Sequence, residues 1–558
     1  MHKRELLTFA LVTAFSASAY AQDTCDVAEP MDDTRFFRRI SIDLRGTGPS
    51  FEEINVVKDR GGIDEELIDA ILENESFVAA MRPYHASLLW PNIDATPIVP
   101  DTHVLFPLEI TPGNPPVYLS PVRSVFMRAV GNGAIFVPCL DEPAQFDGNG
   151  NIVATPLEVG GETVAMQEGW VEVEPYWAPG TTVRVCGFDA QPNVSATVCP
   201  GPVERYPFVE PTCNQFRQFA NAVQAPFDGT TVDCNGRQAI FAPNCGCGPN
   251  LNYCQTQETG AIIRASLLEQ ELRVVDEVIR EGRPYHEALT QKSVDFNGPI
   301  AHYLEHQATL SFDLEAAGDP DAPPPPIPYS DFQWIRVART GRHAGVLTTP
   351  GYLLRFTTWR GRAHRFYNAF ECSSFIPNGP LPSPQDPCSD HEDLTQRCGC
   401  DACHEALEPM AAHWGRFSEY GFRNLTETQF PRNGLGKCSP PLESVDALID
   451  CFRQYELEPV GEEQAYAGQL NAYVFRSDDE ARGVDEGPTR LVQQSLDSGR
   501  LSSCTVQKMW SHFMRRDPTQ EEYETIIPEL IAGFEGSGHD LKSVVKAIVM
   551  HPAYRRQP

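Results

Sequence analysis

Residues 397–404 read Arg397-Cys398-Gly399-Cys400-Asp401-Ala402-Cys403-His404. Three cysteines and a histidine this close together ligate a metal, staple a turn by disulfide, or tether a haem. The last five, Cys400-Asp401-Ala402-Cys403-His404, fit C-x-x-C-H, the attachment pattern of c-type haem. Two thiols three positions apart reach the two vinyl groups of one porphyrin edge. The adjacent histidine then ligates the iron from the proximal side. With 17 cysteines and 14 histidines in 558 residues, the pattern arises by chance about one time in a hundred.

Other chemistries compete for the same residues. Zinc would find the right ligand types in Cys398, Cys400, Cys403 and His404, but their tight spacing strains a tetrahedral site. A thioredoxin-like C-x-x-C lacks a βαβ pattern around it. Cys398 lies outside the haem motif and is available for a disulfide, with Cys372 and Cys388 its nearest candidate partners. The motif therefore predicts one covalent haem c, attached at Cys400 and Cys403, with His404 as the iron ligand.

The start of the chain agrees with that chemistry. A basic stretch (His2, Lys3, Arg4) precedes an apolar run from Leu6 to about Phe15, and small residues lead to Ala19-Tyr20-Ala21. This reads as a secretory signal over residues 1–21, cleaved after about Ala21. The apolar run is too short to span a bilayer, and no later stretch reaches the required length, so no transmembrane segment is expected in the mature chain. Export to the periplasm, or otherwise out of the cytoplasm, is where c-type haem is attached. It also makes disulfides the default fate of the remaining cysteines, although 17 is odd and leaves one unpaired after haem takes two.

Composition narrows the partners. Against 76 acidic residues stand 44 Lys and Arg, a net charge of −32. Such a field repels phosphate backbones, so nucleic acid is not the expected partner. A redox partner protein is implied by the haem, and its identity is not legible. The 48 prolines and 41 glycines argue for long ordered connections rather than one compact bundle.

The pattern along the chain divides it. Residues 22–99 form an N-terminal helical domain: Ser50 and Glu53 make a capping box, and a helix after Asp64 carries Leu67, Ile68, Ile71 and Leu72 on one face. Residues 100–258 are a Pro/Gly/Cys-rich β domain. Its alternating runs Trp170–Glu174 and Thr182–Cys186 read as strands, and Asp147–Asn151 reads as a hairpin turn rather than a calcium loop. Residues 259–344 are a helical domain and linker. Here Leu268, Leu272, Val275 and Ile279 form a stripe, Gly282 a C-cap, and Pro323–Pro326 a stiff connection. Residues 345–425 are the haem-binding CxxCH domain, 426–488 an irregular connection, and 489–558 a C-terminal helical domain. In that last domain Thr519 and Glu522 make another capping box, and Leu541, Val544, Val545 and Ile548 repeat at helical spacing. The expected fold is thus mainly α and multidomain, with a disulfide-rich β domain inserted and a small helical c-type cytochrome-like haem domain.

Four blocks carry a resemblance. Phe37–Gly46 is similar to an "RRxxLDLxG" block, Arg283–Thr290 to "RPYTELLT", and Lys542–Arg555 to an "AIVxSxxFR" ending. Gly345–Pro350 with the following CxxCH resembles a haem-bearing domain. Their order resembles that of the multidomain c-type cytochromes of planctomycetes and myxobacteria, whose paralogous domains are of unknown function. The resemblance covers about half the chain and implies a redox role without implying a reaction. After the haem histidine that family tends to run "DPxGfxLExfDxxG". Here Glu408-Pro409 keeps the first acid in kind, while glycine stands where the second is usual.

Two further readings concern the surroundings of the haem. Arg355, Arg360, Arg362, His364 and Arg365 make a basic knot suited to propionates, to local ion pairs or to an acidic partner. Met410, His413, Met509, Met514, His512 and His551 are the histidines and methionines weighed for the iron's sixth position. Met509 and Met514 equally fit an apolar helix stripe, and no distal ligand is named. Electron transfer is the leading function. A haem-dependent oxidoreductase of peroxidase or oxidase type is the alternative, and a polymer- or partner-binding scaffold with an accessory haem is the third. No G-x-S-x-G, H-E-x-x-H or Walker motif points to a hydrolase or NTPase.

Overall fold

The computed structural model describes residues 30–128, 136–148, 152–191, 196–197, 231–232, 245–310, 321–374, 383, 385–389, 391, 394–425 and 477–556. The signal at residues 1–21 lies outside the described residues, as does most of the connection at 426–488. The protein is mainly helical, with small sheets and several disulfides. Among the described residues no helix is long and apolar enough to cross a membrane.

The N-terminal helices start where their caps dictate. Asp32 accepts hydrogen bonds from the backbone N–H groups of Thr34 and Arg35 and opens Asp33–Arg45. Ser50 and Glu53 close the expected capping box on Phe51–Arg60, and Asp64 caps Glu65–Leu72. A fourth helix, Glu75–Leu89, leads into the β region.

There, five short strands form one sheet in the order Gln255–Thr256, Val104–Leu108, Val117–Leu119, Val183–Cys186, Trp170–Val173. The last two are the strands their alternation predicted, and they pair antiparallel with Val171 opposite Val185. Gln145–Phe146 pairs with Ile152–Val153, so the Asp147–Asn151 segment joins a hairpin; residues 149–151 lie outside the described residues. Two disulfides staple this region, Cys139–Cys186 and Cys247–Cys254, and Cys245 is also disulfide-bonded.

The sheet hands the chain directly to the central helix. Thr256 ends the parallel edge strand and is also the N-cap of Gln257–Arg280, with Thr259 completing a capping box. The helix therefore begins earlier than the 259 boundary, because a threonine pair does the work of the usual Ser–Glu signal. Leu272, Val275 and Ile279 are buried as expected, and Gly282 takes the left-handed conformation just beyond its end. Gln270, Glu271, Asp276 and Glu277 are buried as well, so this helix is surrounded rather than one-sided.

One apolar core runs through the helical segments. It joins Phe37 and Ile40 to Ile263 and Val278, to Leu353 and Phe366, to Trp414, and to Trp510 and Ile548. The first and last resemblance blocks meet within this body. The Arg39 guanidinium donates to the carbonyl of Tyr554 and lies 4.1 Å from its ring centroid, while the Tyr554 hydroxyl donates to Asp43 at 2.7 Å. The middle blocks also touch: the Gly345 N–H bonds the Gln291 carbonyl. A Cβ at Gly345 would lie 2.1 Å from the Ala288 carbonyl oxygen, so no side chain fits there.

One expectation is corrected at the end of the connection. Residues 478–486 are a helix, not irregular chain: Ser477 and Glu480 form a capping box. The acidic run Asp478-Asp479-Glu480 marks its first turn, where negative charge is favoured by the helix dipole. The Thr519 capping box and the buried stripe of Leu541–Met550 are present as expected.

Candidate functional site

The CxxCH motif opens the helix Asp401–Ala411, with Cys400 at the N-cap. Gly399 supplies the entry: its φ of 80° reverses the chain between Cys398 and Cys400. The N–H groups of Cys403 and His404 both bond the Cys400 carbonyl, at 3.1 and 3.0 Å, which fixes both cysteines in the first turn. Residues three apart in a helix share a face, so the two thiols are presented together.

Cysteine chemistry separates this pair from its neighbours. Cys398 is joined to Cys388, one of its two candidate partners, and Cys372 to Cys504. Cys400 and Cys403 are free and half-buried. With Cys398 spent, the four-ligand zinc site Cys398, Cys400, Cys403, His404 is not available. The other close grouping of donors among the described residues, Cys139, Glu168 and Cys186, is likewise committed: its cysteines share a disulfide and Glu168 binds Arg128.

His404 is held from behind. Its Nδ1 is hydrogen-bonded to Oε1 of Glu408, one helical turn on. An ionised carboxylate only accepts, so Nδ1 carries the proton and the Nε2 lone pair is left for a metal. Glu408 is fully buried, and Arg360 of the helix Trp359–Phe370 donates to the same Oε1 at 2.6 Å. Its other oxygen, Oε2, is buried with no hydrogen-bond partner. Two free thiols and an oriented imidazole on one helical turn are residues that could hold a covalently attached haem c.

Compared with models of protein families, with curated proteins and with solved structures, the chain matches none. The site thus stands on its own chemistry.

The basic knot does not converge on the motif. Arg360 bonds Glu408 of the CxxCH helix. Arg362 is fully buried and donates to the carbonyls of Phe356, Phe417, Ser418 and Gly421. Arg355 stacks 4.5 Å from the Trp90 ring centroid and donates to the Trp90 carbonyl. Arg365 caps the carbonyls of Ser87 and Leu88. Those arginines tie helix ends together, so a propionate role is withdrawn for Arg362, Arg355 and Arg365.

The residues weighed for the sixth position are largely packed. Met509 and Met514 are fully buried in the core of the helix Arg500–Met514. His512 sits 5.0 Å from the Tyr84 ring and His551 5.8 Å from Trp510, centroid to centroid. Met410 is buried, and its carbonyl bonds Nδ1 of His413 at 3.0 Å; burial pulls the His413 pKa down to about 4, so that ring is neutral.

Two residues of the site escaped sequence reasoning as functional groups. Glu408 drew notice only as an acid kept from the family pattern, yet its i+4 spacing from His404 is a readable signal. Glu419 carried no local signal. It is buried where the chain folds back, and its carboxylate accepts from the Trp359 N–H at 2.9 Å. Burial raises its pKa to about 7, against the lowering effect of that bond and of Arg362 and Arg360.

Proposed function

We propose that this chain is an exported c-type cytochrome that carries one covalent haem and transfers electrons in the periplasm. Cys400 and Cys403 form the two thioether links, and His404 ligates the iron through Nε2. The observation that carries the reading is the contrast among cysteines: every other described one is in a disulfide, while the two of the CxxCH motif are free beside an oriented histidine. The haem supplies a one-electron iron couple. The chain's own part is to anchor it, to hold His404 in one tautomer, and to keep the Glu408 carboxylate out of water beside Arg360. The strongly acidic surface suits a basic redox partner.

The test is expression of the full chain with its export signal in a host that attaches c-type haem. The expected product shows a Soret band, a sharp reduced α-band and haem staining that survives a denaturing gel. Cys400→Ala with Cys403→Ala should abolish that staining. Full staining of the double variant, or a colourless protein containing zinc, overturns the proposal. The same spectra address the second reading, a peroxidase- or oxidase-type enzyme. It draws on the burial of Met509 and Met514 in the core, and a high-spin ferric spectrum with an exchangeable sixth position favours it.

A further inference from the structure

We propose that Glu408 is the positioning residue of this site: its carboxylate fixes His404 and, with Arg360 opposing it, sets the reduction potential of an iron bound at Nε2. The inference rests on the cytochrome reading above and deepens it.

Three observations carry it. First, Glu408 lies one turn after His404, and its Oε1 accepts from His404 Nδ1. Second, the carboxylate is fully buried while the histidine side chain it holds is 16 % exposed. Third, Oε1 is shared with Arg360 Nε, while Oε2 is buried with no hydrogen-bond partner.

A purely structural role explains these poorly. Taking a carboxylate out of water costs several kcal/mol as an order of magnitude, and a buried ion pair returns little net stability. Leaving one of its oxygens unbonded adds to that cost. An apolar side chain at 408 would pack more cheaply. What a carboxylate adds is direction and charge. It pins the tautomer, orients the ring, and pushes electron density through the imidazole, so Nε2 becomes a stronger donor. A stronger donor favours the ferric over the ferrous state and lowers the potential. Arg360 works in the other sense: it anchors the carboxylate and withdraws part of its charge.

Opposite signs for the two partners are what separates tuning from packing. The full-length haem-loaded protein and its variants would be titrated potentiometrically at the α-band. Glu408→Gln keeps the size but removes the charge. It should weaken the preference for ferric iron about tenfold, raising the potential by about 59 mV for a one-electron couple. Arg360→Gln should lower the potential, and Glu408→Asp should lie between Gln and the parent. Unchanged potentials, or shifts of the same sign in Glu408→Gln and Arg360→Gln, overturn the inference. If Glu408→Gln does not accumulate, the sign of the Arg360→Gln shift decides alone. A parent protein that takes up no haem overturns the cytochrome reading, and this inference with it.

Discussion

The β region and the helical body differ in how far they pair the charge they bury. In the β region Arg128 is fully buried and paired. It donates to both oxygens of Glu168 at 2.9 and 3.1 Å and to Asp189 at 3.1 Å, and all three side chains are shut from solvent. The helical body pairs some buried carboxylates, Glu408 with Arg360 among them, but buries Glu271 and Glu419 without an ion-pair partner, and burial raises both pKa values. The difference follows from core size. The β region has three small apolar clusters, such as Leu105, Val185 and Leu251 with Cys247 and Cys254, and relies on disulfides and a buried ion network. The body has one continuous apolar core that tolerates a few buried carboxyls of raised pKa.

Breaking the paired side should have the largest effect. Arg128→Ala strands Glu168 as a buried charge without an ion-pair partner and leaves Asp189 with Arg123 alone, at a cost of about 3–5 kcal/mol. The loss should fall on the β region, seen as new proteolytic cleavage within 100–258 while the denaturation midpoint of the helical body stays put. The two regions need not unfold as one unit, so each must be followed by its own probe. A stable variant, or joint unfolding of both regions, would show that the network does not hold the β region separately.

That asymmetry also sorts what the sequence disclosed. Caps and periodicity are local, and Ser50, Asp64, Thr519 and the Leu541–Ile548 stripe sit where short-range rules put them. The CxxCH motif is equally local, which is why Cys400, Cys403 and His404 were legible. Partners distant in sequence were not. Arg128 and Glu168 are 40 residues apart, Arg360 and Glu408 are 48 apart, and Cys372–Cys504 spans 132. Helix Asp478–Glu486 was missed for another reason: a polar, acidic stretch hides a helix whose only buried residues are Glu480, Gly483 and Val484.

The unpaired side predicts a pH effect of intermediate size. Native Glu419 holds its proton up to about pH 7, whereas the unfolded chain releases it near 4.5. The native state therefore binds more protons between those values. The stability this contributes is fully present below pH 4.5 and is lost as pH rises through 7, by roughly 3 kcal/mol. Carboxylates with lowered pKa, such as Asp295 and Glu522, act in the opposite sense, so the informative quantity is a difference. Glu419→Gln should be closer to the parent at pH 5 and gain relative to it towards pH 8 in parallel denaturation series. A pH-independent difference would place the native proton elsewhere.

The smallest effect concerns Glu271, and its sign is the unusual part. The side chain lies in the middle of the central helix, is fully buried, and has no hydrogen-bond partner on either oxygen. Its room comes from Gly351, where a Cβ would fall 2.3 Å from Oε1. With desolvation alone acting, burial pushes the carboxyl well above its ordinary value, and the unfolded chain gains by ionising it. Methionine is unbranched and of similar length, so it can follow the same path without a polar atom left unpaired. Glu271→Met is therefore expected to stabilise the protein, by about 1–2 kcal/mol at neutral pH and less in acid. Arg128 replaced by methionine should show the reverse, because there the partners remain behind. Equal destabilisation by both substitutions in urea denaturation would mean that Glu271 has a partner when the chain is folded in solution. The contrast between a paired and an unpaired buried carboxyl would then fail at its most buried member.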